Sequence, residues 1–204
     1  MQHSRKKLKI WASIIPAVIL LLILLCFMLQ RGGVIPSAPA VTIETPDKMS
    51  VDDRDKFSLK LSLTSLEKEV YPAASFSISF DPSKLEFLGL SEGNVLIESR
   101  ENTSGTKLPE WKVNIQHSNK TGMINIMYLD TTGGKNAFSD ELLMENDNVL
   151  LLLNFRLRGS VRPGDVLEIK LEDAVFAAAD EKKSLASVSG KLKTVNGHIV
   201  IEKT

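Results

Sequence analysis

The sequence predicts an all-β fold, a nine-stranded antiparallel jelly-roll β-sandwich, set behind one N-terminal transmembrane helix. Three observations predict it. Apolar and polar residues alternate with period two through most of residues 41–204, as they do on a strand with one face buried. Turn chemistry punctuates the alternation: Asp81-Pro82-Ser83, Ser91-Glu92-Gly93-Asn94, Asn119 to Gly122, Gly133-Gly134 and Arg162-Pro163-Gly164-Asp165. No helical pattern long enough to cross between parallel strands intervenes, which favours a sandwich over a parallel α/β sheet.

The N-terminal element is read from charge and length. Ile10 to Leu29 is a run of twenty residues without a charge. At about 1.5 Å per residue it spans roughly the 30 Å of bilayer hydrocarbon. Arg5, Lys6, Lys7 and Lys9 precede it and only Arg31 follows closely, so the positive-inside bias keeps the N-terminus cytoplasmic and exports the rest. Trp11 stands where an interfacial anchor would. The length favours an uncleaved anchor over a signal peptide, whose apolar run is only about 7 to 15 residues. Ala38-Pro39-Ala40 is the alternative cleavage site, but it lies well past the run and holds a proline. Cys26 follows the bulky Leu25, which does not suit lipidation, so it reads as a buried membrane cysteine.

The organisation that follows is a basic cytoplasmic tail (1–9), the membrane helix (10–29), a Gly/Pro/Ser/Ala linker (30–40) and an extracytoplasmic domain (41–204) at the surface of the cell membrane. Residues 1–40 hold five basic residues and no acid, so the remainder carries five more acids than bases. That balance excludes a nucleic-acid-binding face, which needs cations against phosphate. No cysteine follows Cys26, so the exported part depends on a packed core rather than disulfides.

The strands read in order as Val41 to Thr45, Phe57 to Leu63, Ser75 to Phe80, Lys84 to Leu90, Trp111 to His117, Met123 to Leu129, Val149 to Arg158, Val166 to Val175 and Val195 to Glu202. Ala137 to Glu145 is the one stretch that reads as a helical turn.

Chemistry-bearing motifs are few. Gly89-Leu90-Ser91-Glu92-Gly93 matches a nucleophile elbow in letters, but that motif works only on a strand-to-helix turn of an α/β sheet. Asp130 to Glu141 begins and ends like a calcium loop, yet Thr132, Gly134 and Lys135 occupy its third, fifth and sixth positions, where oxygen ligands and a glycine belong. His3, His117 and His198 have no zinc-site spacing and read as solvated strand-end residues. Asn102-Thr103-Ser104 and Asn119-Lys120-Thr121 match the glycosylation pattern. The run Asp52-Asp53-Arg54-Asp55-Lys56 reads as a solvated loop. No nucleophile with a base, and no acid–base pair, emerges, so the chain is expected not to be an enzyme and to need no cofactor.

The order of segments resembles the cohesin domain, the receptor module for dockerin-bearing proteins in bacterial cellulosomes. Four stretches carry the resemblance: FSISFDPSKLEFLGLSEGNVL (Phe76 to Leu96), GMINIMYLD (Gly122 to Asp130), VLLLLNFRLRGSVRPGDVLEI (Val149 to Ile169) and VNGHIVI (Val195 to Ile201). It covers roughly residues 41–204, with two departures, a polar insertion at Ser99 to Pro109 and Glu145-Asn146-Asp147-Asn148 before the Val149 strand.

The resemblance implies adhesion to a dockerin-like partner through a face built on the third, fifth, sixth and eighth strands. The partner would supply a helix and its own calcium. The outward sets would be Ser75, Ser77 and Ser79; Lys112, Asn114 and Gln116; Asn125, Met127 and Leu129; and Glu168, Lys170 and Glu172. Met127 and Leu129 suit the dry centre of an interface, unless the phase is opposite and Ile124, Ile126 and Tyr128 face out, because period two relates the two faces only to each other. Polysaccharide would then be met indirectly, through the partner. Two other readings stay open. A sugar-binding sandwich would display aromatics, whereas Trp111 runs in phase with Val113 and Ile115 and is expected inside. A structural subunit of an envelope complex would look the same without a site.

Overall fold

The computed structural model describes residues 38–95, 111–144 and 147–203. The apolar run Ile10 to Leu29, the tail before it and most of the linker lie outside the described residues, as do Asn102-Thr103-Ser104 and Glu145-Asn146. Among the described residues no helix is long and apolar enough to cross a membrane.

Among the described residues eleven strands form two sheets: β1 (Ala40–Glu44), β2 (Lys48–Ser50), β3 (Phe57–Leu63), β4 (Ala73–Phe80), β5 (Leu85–Glu92), β6 (Met123–Leu129), β7 (Val149–Leu157), β8 (Val166–Ala177), β9 (Leu185–Ala186), β10 (Lys193–Val195) and β11 (Gly197–Glu202). One sheet runs β10-β1-β3-β7-β5 and the other β2-β11-β8-β4-β6, with β9 on the edge of β8. Leu59 and Leu61 of the first sheet and Phe76, Ile78 and Ile124 of the second are wholly buried in one shared core. Phe80 and Phe155 meet across the sheets edge to face at 5.5 Å.

The alternation in β4, AASFSISF, translates directly: Ala74, Phe76, Ile78 and Phe80 are buried and the serines between them face outward. Pro82 ends the segment because it has no ladder donor. The Asp81 carboxylate shapes the turn, accepting from the Ser83 backbone N–H at 2.8 Å and its hydroxyl at 2.6 Å. β7 reads as a nearly unbroken apolar run because it is the second strand in from the β5 edge, flanked by β3 and β5. Its Asn154 is 3% exposed and its amide is satisfied by Ser58 and Ser91, at 2.7 and 2.9 Å.

Four expectations are corrected. Among the described residues the strand count is eleven, not nine: β2, β9 and β10, two- or three-residue segments too short to carry a period, are added, and the strand expected at Trp111 to His117 is lost. The sheets are not purely antiparallel: β1 pairs β10 and β11 pairs β2 in parallel. The helical turn expected over Ala137 to Glu145 is a single 3-10 turn, Asp140–Leu142.

The largest correction concerns Trp111 to His117. Only Lys112 makes a ladder contact, an isolated antiparallel bridge to Met127, and the chain then enters helix α1 (Ile115–Thr121). Asn114 caps it, its side-chain oxygen accepting from the His117 N–H at 3.0 Å, and Gly122 closes it in the left-handed conformation at φ 73°. The in-phase spacing of Trp111, Val113 and Ile115 imitates a strand, but the Asn cap and Gly stop overrule it. Ile115 lies over Gly89 of β5, where a Cβ would come within 3.1 Å of its Cδ1.

Candidate protein-binding face

The outer face of β8-β4-β6 brings most of the expected site residues together. Cross-strand rows run Val175–Ser75–Met127 and Asp173–Ser77–Asn125, with Ala177–Ala73–Leu129 at one end and Lys170–Ser79–Met123 at the other. Met127 and Leu129 are 60% and 55% exposed, while Ile124, Ile126 and Tyr128 are at most 2% exposed. The phase is therefore the one that turns Met127 and Leu129 outward. Ser77 donates to the Asn125 side-chain oxygen at 3.0 Å, which ties β4 to β6 across the face.

Glu168, Lys170 and Glu172 also face out. Lys170 and Glu168 form an exposed ion pair at 2.8 Å. Its hydrogen bond, then its Coulomb attraction, raise the lysine pKa and lower the glutamate pKa. Exposure and solvent screening keep the energetic value of such a pair small. Glu172 accepts from the Ser79 hydroxyl at 2.5 Å.

The fifth-strand set fares differently. Lys112 meets the sheet through its backbone, in N–H to carbonyl bonds with Met127 of 2.7 and 3.0 Å. Asn114 is spent on the helix cap, and Gln116 is exposed on α1, off the ladder. Asn114 and Gln116 are therefore not members of the face.

Sequence reasoning missed Ala73, Asp173, Val175 and Ala177. A bulge between β4 and β8 at Ser77/Ile78 leaves Glu172 outside the paired register, so the outward phase of β8 passes from even to odd residues. The signal was present: buried Leu167, Ile169 and Leu171 step by two, and the next buried residue, Ala174, comes after three. Ala73, Ser75, Met127, Leu129, Val175 and Ala177 line a depression of about 190 Å³.

Trp111 packs inward as expected, its ring centre 5.0 Å from Tyr128 and 5.8 Å from Phe138. None of the exposed large apolar side chains among the described residues is aromatic. Ser91 lies on β5, not on a strand-to-helix turn, and its hydroxyl accepts from Asn154. The Asp130 carboxylate is consumed by its own loop, accepting from the Thr132 N–H at 2.7 Å, the Thr132 hydroxyl at 2.5 Å and the Gly134 N–H at 2.7 Å. Among the described residues no three His, Cys, Asp or Glu side chains converge to hold a metal. His198 is an exposed strand residue as expected, whereas His117 sits on α1. A larger cleft of about 550 Å³ lies between Lys68–Val70 and Gly134–Glu141 and mixes both charge signs.

Solved structures share this arrangement. The OlpA cohesin of Clostridium thermocellum, solved in a type I cohesin–dockerin complex, is 19% identical, with 81% of this chain and 99% of that chain covered at a TM-score of 0.56. The sixth cohesin of scaffoldin B from Acetivibrio cellulolyticus, solved with a mutant of the Cel5 dockerin, is 18% identical over 81% and 100% of the two chains, again at 0.56. The cohesin module of a family 33 glycoside hydrolase from Clostridium perfringens is 14% identical over 82% and 98%, at 0.54. No curated protein is significantly similar to the chain. The cohesin domain family model matches residues 39–197, which takes in every strand from β1 to β10 and the whole outer face of β8-β4-β6. With that match over most of its length, the chain belongs to the cohesin domain family.

Proposed function

We propose that the chain is a non-catalytic, membrane-tethered adhesion module that captures a dockerin-like protein on the outer face of β8-β4-β6. The observation that carries this reading is the outward Met127–Leu129 pair, 60% and 55% exposed on an open sheet face rimmed by Ser77, Asn125 and Asp173. Apolar side chains exposed on an open sheet face lose their contact with water only when a partner covers them. Membership of a family of protein-binding modules supports the reading, as do the solved cohesins that hold dockerins.

The run Ile10 to Leu29 would anchor the chain in the cell membrane with the domain outside. Tethering would raise the partner's local concentration at the surface. Calcium would belong to the partner, and polysaccharide would be reached through whatever enzyme the partner carries. Direct sugar binding is the weaker reading, since the described residues display no exposed aromatic for a sugar ring to stack on.

The test is a pull-down with the full chain, in mild detergent, against the exported proteins of its source organism, with and without a calcium chelator. Calcium-dependent capture of a dockerin-bearing protein is expected. Capture of no such protein, together with retention on a polysaccharide column, would overturn the proposal in favour of a sugar-binding module.

A further inference from the structure

Four methionines stand among the described residues, and the fold treats them unequally. Met49 is buried at 9% exposure and Met123 is half-buried at the start of β6, whereas Met127 and Met144 are 60% and 52% exposed. Met144 lies in the loop before β7, where the Asn148 side chain bonds both of its backbone groups. Met127 lies on the outer face of β8-β4-β6, in the Val175–Ser75–Met127 row.

The surroundings of Met127 leave its side chain uncovered. Lys112 bonds its backbone on one side and β4 flanks it on the other, so the strand is fixed while the side chain projects from the sheet. The residue across from it, Ser75, is too short to lie over a methionine. Of Ala73, Ser75, Leu129, Val175 and Ala177, which line the depression of about 190 Å³ with Met127, only Ser75 has a polar side chain. The flexible thioether is thus open to small dissolved molecules in the free protein. It enters an almost wholly apolar setting once a partner closes over the depression.

We propose that Met127 is a redox modification site, at which a peroxide converts the thioether to a sulfoxide and thereby releases the partner. The proposal rests on the proposed function and adds a means of regulation to the same face. With hydrogen peroxide the step balances without a further reactant. A sulfur lone pair attacks one peroxide oxygen, the S–O bond forms as the O–O bond breaks, and the departing oxygen takes up the proton and leaves as water. Sulfur loses two electrons and the peroxide gains them. The product is a polar group in place of an apolar one. In the free protein, water solvates its oxygen. Beneath a partner that oxygen loses water, and the depression offers it the Ser75 hydroxyl alone, since the Tyr128 hydroxyl is committed to the Asn136 carbonyl. Burying an incompletely paired polar group is costly, so the sulfoxide weakens capture. Reductases return methionine sulfoxide to the thioether, which makes the change reversible.

The full chain, in a peroxide-free sugar detergent, is treated with hydrogen peroxide, cleared of it with catalase, and titrated calorimetrically against the dockerin-bearing protein captured in the pull-down. Peptide mass spectrometry follows each methionine. Met127 and Met144 are expected to gain oxygen about tenfold faster than Met49, in line with their exposure. Affinity is expected to fall about tenfold or more in step with Met127 oxidation, and to return on treatment with methionine sulfoxide reductases and a dithiol. The Met144→Leu chain is expected to lose affinity in the same way. The affinity of the Met127→Leu chain, whatever its starting value, is expected not to respond to peroxide. Both variants keep Cys26, so thiol oxidation cannot account for a difference between them. Full conversion of Met127 without loss of affinity, or an equal loss in Met127→Leu, overturns the inference and leaves the proposed function standing. A Met127 that oxidises no faster than Met49 overturns it as well. An untreated chain that captures no dockerin-bearing protein overturns both the proposed function and the inference.

Discussion

The side-chain amide of Asn119 on α1 bonds both backbone groups of Phe87 on β5, accepting from its N–H at 2.8 Å and donating to its carbonyl at 2.7 Å. Asn119 thereby acts as a one-residue strand along part of the β5 edge, where an open row of backbone groups would invite pairing with another chain. The glycosylation-like triplet at Asn119 is thus a structural clamp. Asn119→Ala removes both bonds and orphans the Phe87 groups, and is expected to lower stability by about 2 kcal/mol. Chemical denaturation at pH 7 measures it, and a loss below about 0.5 kcal/mol would refute the clamp.

Met127 and Ile126 are neighbours in sequence with opposite fates, one 60% and the other 2% exposed. Met127→Asp is expected to abolish partner capture while shifting stability by no more than about 0.5 kcal/mol, as at an ordinary surface position. Ile126→Ala is expected to cost about 2 to 5 kcal/mol of stability through the cavity it leaves. Paired melting curves and pull-downs distinguish the two. Unchanged partner affinity in Met127→Asp would sink the face assignment.

Asp130 is 9% exposed. Burial alone would raise its pKa, but the hydrogen bonds from Thr132, Gly134 and Asn136 outweigh burial and hold it below the ordinary carboxylate value. A group depressed in the folded state adds stability that is fully present above its unfolded pKa, roughly 4, and is lost as pH falls through the folded value. Asp130→Asn is therefore expected to cost about 1 to 3 kcal/mol at neutral pH. The difference between the two proteins should shrink steadily below roughly pH 4. Unfolding midpoints measured from pH 7 downward give the result, and a difference independent of pH would contradict the assignment.

The Tyr71 hydroxyl is buried without a hydrogen-bond partner among the described residues, in a residue that is 0% exposed. Burial first, then the carboxylates of Glu67, Glu69 and Asp140, push its pKa up to about 12, so it stays neutral over the whole accessible range. An unpartnered hydroxyl in an apolar site costs about 1 to 3 kcal/mol. Tyr71→Phe keeps the ring and its edge contact with Phe176, at 6.1 Å, and is expected to leave the protein as stable or more stable. A denaturant midpoint lower than that of the wild type would show that the hydroxyl has a partner after all.

The comparison of expectation with structure turns on a few residues. Phe76, Ile78 and Phe80 announce β4, and Ile124, Ile126 and Tyr128 announce β6, because one buried face imposes a strict two-residue period. Trp111, Val113 and Ile115 show the same period and do not form a strand. There the local capping by Asn114 and Gly122, and the space over Gly89 that receives Ile115, favour the helix. β2, β9 and β10 had no legible pattern because each exists only where a longer strand offers it an edge.

Alternation by itself determined which side chains share a face, since the period of a strand is a property of its backbone. It also placed Ser75, Ser77 and Ser79 on one side and Asn125, Met127 and Leu129 on another strand's equivalent side. Only the tertiary structure decided that these rows lie side by side, that they look outward, and that Glu172 and Asp173 join them. Which face is buried depends on the sheet packed against it, and β8, β4 and β6 are far apart in the chain. The bulge that turns two consecutive carboxylates outward arises from pairing β8 with β4, a contact between residues about a hundred positions apart that no local pattern can encode.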